Sequence, residues 1–97
     1  MRIQGFVWDD PEDEAGNAAH VARHGVFPEE VEEAMTSSPV VLRGRDGRYL
    51  GYGTTADGRF LFVVLVPKGR GRVKPLTARP MTNAERRLYQ AKRRTRR

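Results

Sequence analysis

The residues best suited to chemistry in this sequence are the arginines near its C-terminal end. The last nineteen positions contain a single acidic residue, Glu85, and eight basic residues. The basic residues are Arg79, Arg86, Arg87, Lys92, Arg93, Arg94, Arg96 and Arg97. Because a guanidinium group donates two parallel hydrogen bonds to one phosphate, this cluster predicts a polyphosphate ligand, with RNA as the leading candidate.

Arg79 is the most specific candidate in this cluster. It ends a predicted strand, stands next to Pro80 and comes just before a predicted helix. Such junctions hold functional side chains rigidly. The run Arg93–Arg97 is less specific, because terminal charge runs are commonly solvated or disordered.

The charge of the chain is divided between its two halves. Residues 1–38 contain nine acidic and two basic residues, a net charge of −7, whereas residues 39–97 contain sixteen basic and three acidic residues, a net charge of +13. This division predicts opposed surface fields, one of which attracts polyanions. Ordinary solvated charge is the alternative interpretation.

Two histidines form the second candidate for a functional site. His20 and His24 are four residues apart, so they share one helix face at a spacing that can bind zinc. The chain has no cysteine and no third histidine, so we predict no metal site and no metal cofactor. We expect one histidine to be buried and hydrogen-bonded and the other, His24, to be exposed at the helix end. The helix dipole there favours protonated His24, which suits either a general acid or a helix cap.

The remaining candidates for a binding site are aromatic residues and a basic loop. Tyr49, Tyr52, Phe60 and Trp8 could stack on bases, although core packing is the stronger expectation for Phe60, Phe62 and Trp8. The loop Lys68–Gly71 matches neither a Walker nor a Rossmann pattern, and no Ser/His/Asp arrangement is evident.

Length and composition predict one small domain. The chain has 97 residues and no cysteine, which excludes a disulfide scaffold and a cysteine nucleophile. No signal peptide is recognisable, and the longest apolar stretch, Phe60–Val66, is too short to span a bilayer. We therefore expect a cytoplasmic protein with no membrane partner.

The N-terminal third is predicted to contain one strand and two helices. Ile3–Trp8 alternates weakly, as a strand does, and a helix follows over about Ala15–His24 with Gly25 at its C′ position. Pro28 opens a second helix, which ends at residues 37–39.

The rest of the chain is predicted to be a meander of strands followed by a helix. The predicted strands are Val40–Arg43, Tyr49–Thr55, Phe60–Val66 and Val73–Arg79, with Asp46-Gly47 suited to a type I′ turn and Pro67–Gly71 forming a mobile basic loop. Pro75 must lie at a sheet edge or a bulge. Thr82 and Glu85 have the spacing of a capping box that starts the last helix. The predicted fold is α+β, in the order β-α-α-β-β-β-β-α, with an antiparallel sheet packed against helices. We place one domain over residues 1–90 and a basic tail over residues 91–97.

Several segments in this order resemble the BrnT-like toxin family. The N-terminal set comprises Trp8-Asp9, Asn17, His20, Arg23-His24-Gly25-Val26 and Pro28-Glu29-Glu30-Val31; the C-terminal set comprises Phe60–Val64, Thr77–Met81, Glu85 and Tyr89. The resemblance covers about residues 6–89. It implies a RelE-like fold and a metal-independent endoribonuclease of a type II toxin–antitoxin module. It also implies RNA as substrate, no cofactor, and a small cognate antitoxin as protein partner.

The resemblance also suggests roles for individual residues. Metal-free RNA cleavage needs a base, an acid and cations that stabilise the phosphorane. We assign phosphate stabilisation to Arg79 with help from Lys68 or Arg70, acid–base chemistry to His24, and hydrogen bonding or stacking to Tyr89. Arg23, Arg86 and Arg87 are assigned to RNA binding, and Glu85 to capping the helix and orienting Arg79. The alternatives are a non-catalytic RNA- or DNA-binding module and a protein-interaction module of the same fold.

Overall fold

The computed structural model of the protein describes residues 2–94, and its elements follow the predicted order. They are β1 (Gly5–Phe6), α1 (Asn17–Arg23), α2 (Pro28–Thr36), β2 (Val40–Arg43), β3 (Tyr49–Thr54), β4 (Phe60–Gly69), β5 (Arg72–Pro80) and α3 (Asn83–Arg94). The α+β class and the order of elements are therefore confirmed.

The five strands form one sheet in the order β1-β5-β4-β3-β2. Strands β2 to β5 make the predicted antiparallel meander, whereas β1 pairs with β5 in parallel. The first strand is shorter than predicted, although Gln4 and Val7 extend its pairing through hydrogen bonds to the carbonyls of Gly71 and Val73. The sheet is thus antiparallel except at this short edge.

Helices α1 and α2 cover one face of the sheet and form the main core. Every second residue of β4, namely Leu61, Val63 and Leu65, is fully buried against them. The opposing helix residues include Val21 and Met35. The i, i+3, i+4 spacing of Val31, Ala34 and Met35 supplies the apolar stripe of α2, as the sequence predicts.

Two glycines of β3 allow α2 to approach the sheet closely. A Cβ atom at Gly53 would overlap the backbone carbonyl of Ala34, and one at Gly51 would meet the sulfur of Met35. These glycines cost the strand intrinsic stability. The close helix–sheet packing depends on them.

The prediction of a mobile loop over Pro67–Gly71 is wrong. Strand β4 continues to Gly69, which pairs with Arg72, so β4 and β5 form a long hairpin with a tight turn. Gly69, Arg70 and Gly71 all have positive φ, and the two glycines adopt this conformation without steric cost. A register shift between Pro67 and Gly69 interrupts the ladder beside the proline, which has no N–H to donate.

Pro75 lies at a bulge, one of the two positions that the sequence allows. Val64 pairs with Thr77 and Leu65 with Pro75, so Leu76 is the extra residue on β5. The carbonyl of Pro75 accepts a hydrogen bond from the side-chain amide of Asn17, at 2.8 Å, beyond the end of β1.

The other predicted turns and caps are also found. Asp46 and Gly47 both have positive φ, and the N–H of Arg48 donates to the carbonyl of Arg45, as a type I′ turn requires. Thr82 and Glu85 form the capping box in both directions, at 2.8 and 3.2 Å.

Helix α3 extends further than predicted. It continues through residues 91–94, which we predict as part of the basic tail. Alanine, lysine and arginine are good helix formers, and basic residues in the last turn complement the helix dipole. The predicted tail residues Arg96 and Arg97 lie outside the described residues.

Replacing Gly53 with alanine tests the close approach of α2. We expect Gly53→Ala to lower the free energy of unfolding by about 3 kcal/mol, because the carbonyl of Ala34 belongs to backbone that cannot move aside. Gly5→Ala is the matched control, since its Cβ would meet only the Cγ of Arg72 at 3.4 Å. Urea denaturation measures both; equal losses would contradict the packing argument.

Candidate nucleic-acid interface

The sheet face opposite α1 and α2 carries a layer of arginines stacked on aromatic rings. The guanidinium carbon lies 4.5 Å from the ring centroid of Phe62 for Arg79, 4.1 Å from that of Phe60 for Arg86, and 5.4 Å from that of Tyr89 for Arg93. We call these three arginines and three rings the arginine–aromatic face. Each pair is within the range of a cation–π interaction, which fixes a cation in place without neutralising its charge.

Strand register and helix period bring these residues together. Arg79 on β5 pairs with Phe62 on β4, so their side chains leave the sheet on the same face. On α3, Arg86 and Arg93 are seven residues apart, which places them on one side of the helix about 10 Å apart along its axis. The predicted position of Arg79 at a strand end, before a helix, is confirmed.

Arg79 is held at its end by Glu85. Its Nη1 and Nη2 atoms donate to the two carboxylate oxygens of Glu85 at 2.7 and 2.9 Å, and Nη1 also donates to the carbonyl of Pro80 at 3.2 Å. The Arg79 side chain remains 39% exposed, whereas that of Glu85 is 19% exposed. Glu85 therefore caps α3 and orients Arg79, as the sequence predicts.

This pairing shifts the titration of the groups involved. The hydrogen bond from Arg79 lowers the pKa of Glu85, with help from the N–H of Thr82 and against the effect of partial burial. The same hydrogen bond raises the pKa of Arg79. Burial, with the nearby charge of Glu85, raises the pKa of Tyr52. The site therefore keeps a charged guanidinium and a neutral phenol at neutral pH.

Tyr89 lies inside the structure. Its side chain is 1% exposed and belongs to a second core cluster between α3 and the sheet. Its hydroxyl is 2.8 Å from Oγ1 of Thr54 and accepts a hydrogen bond from Nη1 of Arg93 at 3.1 Å. Stacking of a base on Tyr89, one of its two predicted roles, does not fit a buried ring; its hydrogen-bonding role in catalysis stays a prediction.

The two histidines differ as the sequence predicts. Nε2 of His20 lies 3.0 Å from Oγ1 of Thr77, and the ring is half-buried. His24 is exposed at the end of α1, with its ring edge-on to His20 at 5.1 Å. Thr77 precedes Arg79 by two residues on β5, a spacing of about 7 Å along a strand. Through Thr77, His20 is anchored to β5 two residues before Arg79, a contact that its sequence signal does not indicate. The acid–base role of His24 stays a prediction.

The other predicted RNA contacts are spread over the surface. Lys68 and Arg70 lie at the tip of the β4–β5 hairpin, six residues or more along β4 from Phe62, which is about 20 Å. They cannot assist Arg79 at the same phosphate, and that part of their predicted role is wrong. Arg23 is exposed and donates to the carbonyl of Glu14, and Arg87 is exposed on α3. Their contribution to RNA binding stays a prediction.

The comparison with solved structures identifies the fold. No family model matches the chain, and no curated protein matches its sequence. Among solved structures, the chain is similar to the crystal structure of the Brucella abortus ribonuclease toxin BrnT, with a TM-score of 0.62. The chain has the BrnT fold. The similarity covers 82% of this chain and 99% of BrnT at 18% sequence identity, so it confirms the predicted fold and leaves the residue roles to the geometry.

Sequence reasoning missed the stacking that organises this face. Phe60 and Phe62 pack against the second core cluster, as predicted, but each is also partly exposed and covered by a guanidinium. Alternation along β4 could have revealed them, since both lie opposite the fully buried positions. Within residues 2–94, no group of three or more His, Asp or Glu residues is placed to hold a metal ion, and no described helix is long and apolar enough to cross a membrane.

The pH dependence of stability tests the Arg79–Glu85 pair. Because the folded state lowers the pKa of Glu85, its contribution is fully present above the ordinary value of 4.5 and is lost as the pH falls through the lower folded value. We expect Glu85→Gln to cost about 1 kcal/mol at pH 7, since partial exposure screens the pair. The gap from wild type should close as the pH falls below 4.5 and through the lower folded value.

Glu12→Gln is the control for this measurement, because the carboxylate of Glu12 is exposed and lies in a turn away from the sheet. Unfolding free energies from urea titrations at each pH give the comparison. A gap between Glu85→Gln and wild type that stays constant with pH would contradict the assigned ion pair.

Proposed function

We propose that this protein is a toxin-like endoribonuclease that cleaves RNA without a metal ion and is neutralised by a small cognate antitoxin. The observation that carries the proposal is the oriented guanidinium of Arg79, fixed by Glu85 and Phe62 beside two further arginines that are stacked on rings. The BrnT fold supports the same activity class.

Arg79 can bind a phosphate while Glu85 still holds it. Its bonds to Glu85 and Pro80 use both N–H groups of Nη1 and one of Nη2. The Nε–H and the second Nη2–H lie along another edge of the guanidinium, and these two donors match two oxygens of a phosphate. Glu85 therefore orients Arg79 for phosphate instead of competing for it.

Cleavage then requires a proton acceptor for the 2′-hydroxyl and a proton donor for the 5′-oxygen. We assign this chemistry to the histidine pair, with His24 as the exposed acid–base group and His20 as the residue that positions it against β5. Arg79 stabilises the charge that develops on the phosphorane.

A non-catalytic RNA-binding module is the second candidate. The basic hairpin tip favours it, because Lys68 and Arg70 extend the positive surface about 20 Å from Arg79 along the strand. A surface of this length suits a polyanion whether or not the chain cleaves it.

RNA cleavage by the purified protein in excess EDTA tests the first proposal. Wild type should cut single-stranded RNA and leave 2′,3′-cyclic phosphate ends. We expect the rate to fall about a hundredfold or more in Arg79→Ala, which removes the phosphorane contact, and in His24→Ala, which removes the acid–base group. Arg79→Lys should also be impaired, because lysine lacks the planar fork.

Arg45→Ala is the matched control, since it removes the same charge at the exposed β2–β3 turn. It should leave the rate unchanged. Intact RNA in the wild-type reaction would overturn the nuclease proposal, and salt-sensitive binding without cleavage would select the second candidate.

A double variant tests whether the hairpin tip binds RNA without taking part in cleavage. The double variant Lys68→Ala/Arg70→Ala should bind RNA more weakly and reduce the slope of log affinity against log salt by about 1.4, the value for two lost phosphate contacts on a single strand. The cleavage rate at saturating RNA should not change, because the tip is remote from Arg79. A large loss of that rate would show that these residues act in the chemical step.

A further inference from the structure

We propose that a cavity between α3 and the ends of β3 and β4 binds one nucleotide of the RNA strand, next to the phosphate held by Arg79. The cavity has a volume of about 690 Å³ and is lined by Thr54, Phe60, Tyr89, Gln90, Arg93 and Arg94. This inference rests on the proposed function in taking RNA as the ligand, and it adds a second site for that ligand.

The cavity continues the arginine–aromatic face along α3. Phe60 also lines a second, smaller cavity of about 290 Å³, together with Pro80 and Arg86. Pro80 adjoins Arg79 in sequence. A strand whose phosphate lies on Arg79 can therefore pass Arg86 and reach the larger cavity across a single ring.

The apolar part of the cavity suits a nucleobase. Arg86 covers Phe60 at 4.1 Å, and Tyr89 meets the same ring edge-on, with centroids 6.0 Å apart. These contacts fix the ring while it still lines both cavities. A fixed aromatic surface is what sequence-tolerant base stacking requires.

The polar part of the cavity suits the hydrogen-bonding edge of the base and the phosphate of a nucleotide. Gln90 is exposed at the cavity wall and offers an amide donor and acceptor for the edge of a base. Arg94 and Arg93 supply guanidinium groups for the next phosphate. Arg93 is preorganised, because its Nη1 donates to the hydroxyl of Tyr89, which also contacts Thr54. The volume lies within the range of small-molecule sites in proteins.

Binding of an RNA that cannot be cleaved tests this site independently of the nuclease activity. A 2′-O-methyl oligonucleotide lacks the nucleophilic hydroxyl, so its affinity reports binding alone. We expect Gln90→Ala and Arg94→Ala each to weaken binding about fivefold, and Phe60→Leu, which keeps apolar packing, to weaken it about tenfold. Arg45→Ala is the charge-matched control for Arg94→Ala. Circular dichroism and melting temperature confirm that each variant is folded.

Chemical shifts locate the ligand. With the oligonucleotide bound to wild type, the amide signals of Thr54, Gln90 and Arg94 should move, and a 5′-nucleoside monophosphate should move the same signals with weaker affinity. If Gln90→Ala, Arg94→Ala and Phe60→Leu all bind like Arg45→Ala, the cavity does not hold a nucleotide. If the monophosphate binds as tightly as the oligonucleotide, the cavity serves a free nucleotide and the assignment to the RNA strand is overturned.

These outcomes separate the two proposals. Shifts in the cavity together with intact RNA in the cleavage assay would support the nucleotide site and overturn the nuclease. Cleavage that depends on Arg79, without any effect of the cavity variants on binding, would overturn the nucleotide site and keep the nuclease.

Discussion

The carboxylate of Glu85 joins the last strand to the last helix, and the arginine–aromatic face depends on that link. It accepts two hydrogen bonds from Arg79 on β5 and one from the N–H of Thr82 at the start of α3. One side chain thus caps the helix and fixes where the helix begins relative to the sheet. Because α3 begins at this contact, the position of Arg86 over Phe60 of β4 follows from it, whereas Arg93 stacks on Tyr89 within the helix itself.

The two faces of the sheet are packed against their helices in different ways. On the first, α2 lies so close that a single methyl group at Gly53 would overlap its backbone. On the second, α3 rests on β2 and β3 through a small cluster that includes Val40, Tyr52 and Tyr89. The neighbouring strands β4 and β5 therefore keep half-exposed residues, and the rings of Phe60 and Phe62 remain accessible to arginines.

The order of the helices and strands can be predicted well from the sequence, whereas the contacts between them can be predicted only poorly. Periodicity, the Asp46-Gly47 pair and the Thr82–Glu85 spacing are local signals, and the structure confirms each of them. The hairpin over Pro67–Gly71 reads as a loop, because its glycines and proline have low strand propensity. Pairing with β5 overrides that propensity.

The candidate site, too, can be predicted from the sequence only in part. Arg79 and Glu85 are identifiable because both belong to a strand–helix junction with a capping signal. The stacking of Arg86 on Phe60 joins residues 26 positions apart, so it follows only from the fold. The distance between Lys68 and Arg79 is hidden for the same reason: the two are eleven residues apart in sequence but lie toward opposite ends of one hairpin.

The way each charge is held explains why the basic half of the chain can bind an anion although the protein is also rich in acids. Several acids of the N-terminal half are engaged within the fold: Asp9 accepts the backbone N–H of Asn17, and Glu30 pairs with Arg59 at 2.7 Å. Arg86 and Arg93 are instead positioned by aromatic rings. A carboxylate neutralises the cation that it fixes, whereas a ring fixes the cation and leaves its charge and most of its N–H donors available. Arg86 and Arg93 are therefore held in place with their charge available for phosphate, whereas Arg79, which is paired with Glu85, offers the N–H donors that this pair leaves unused.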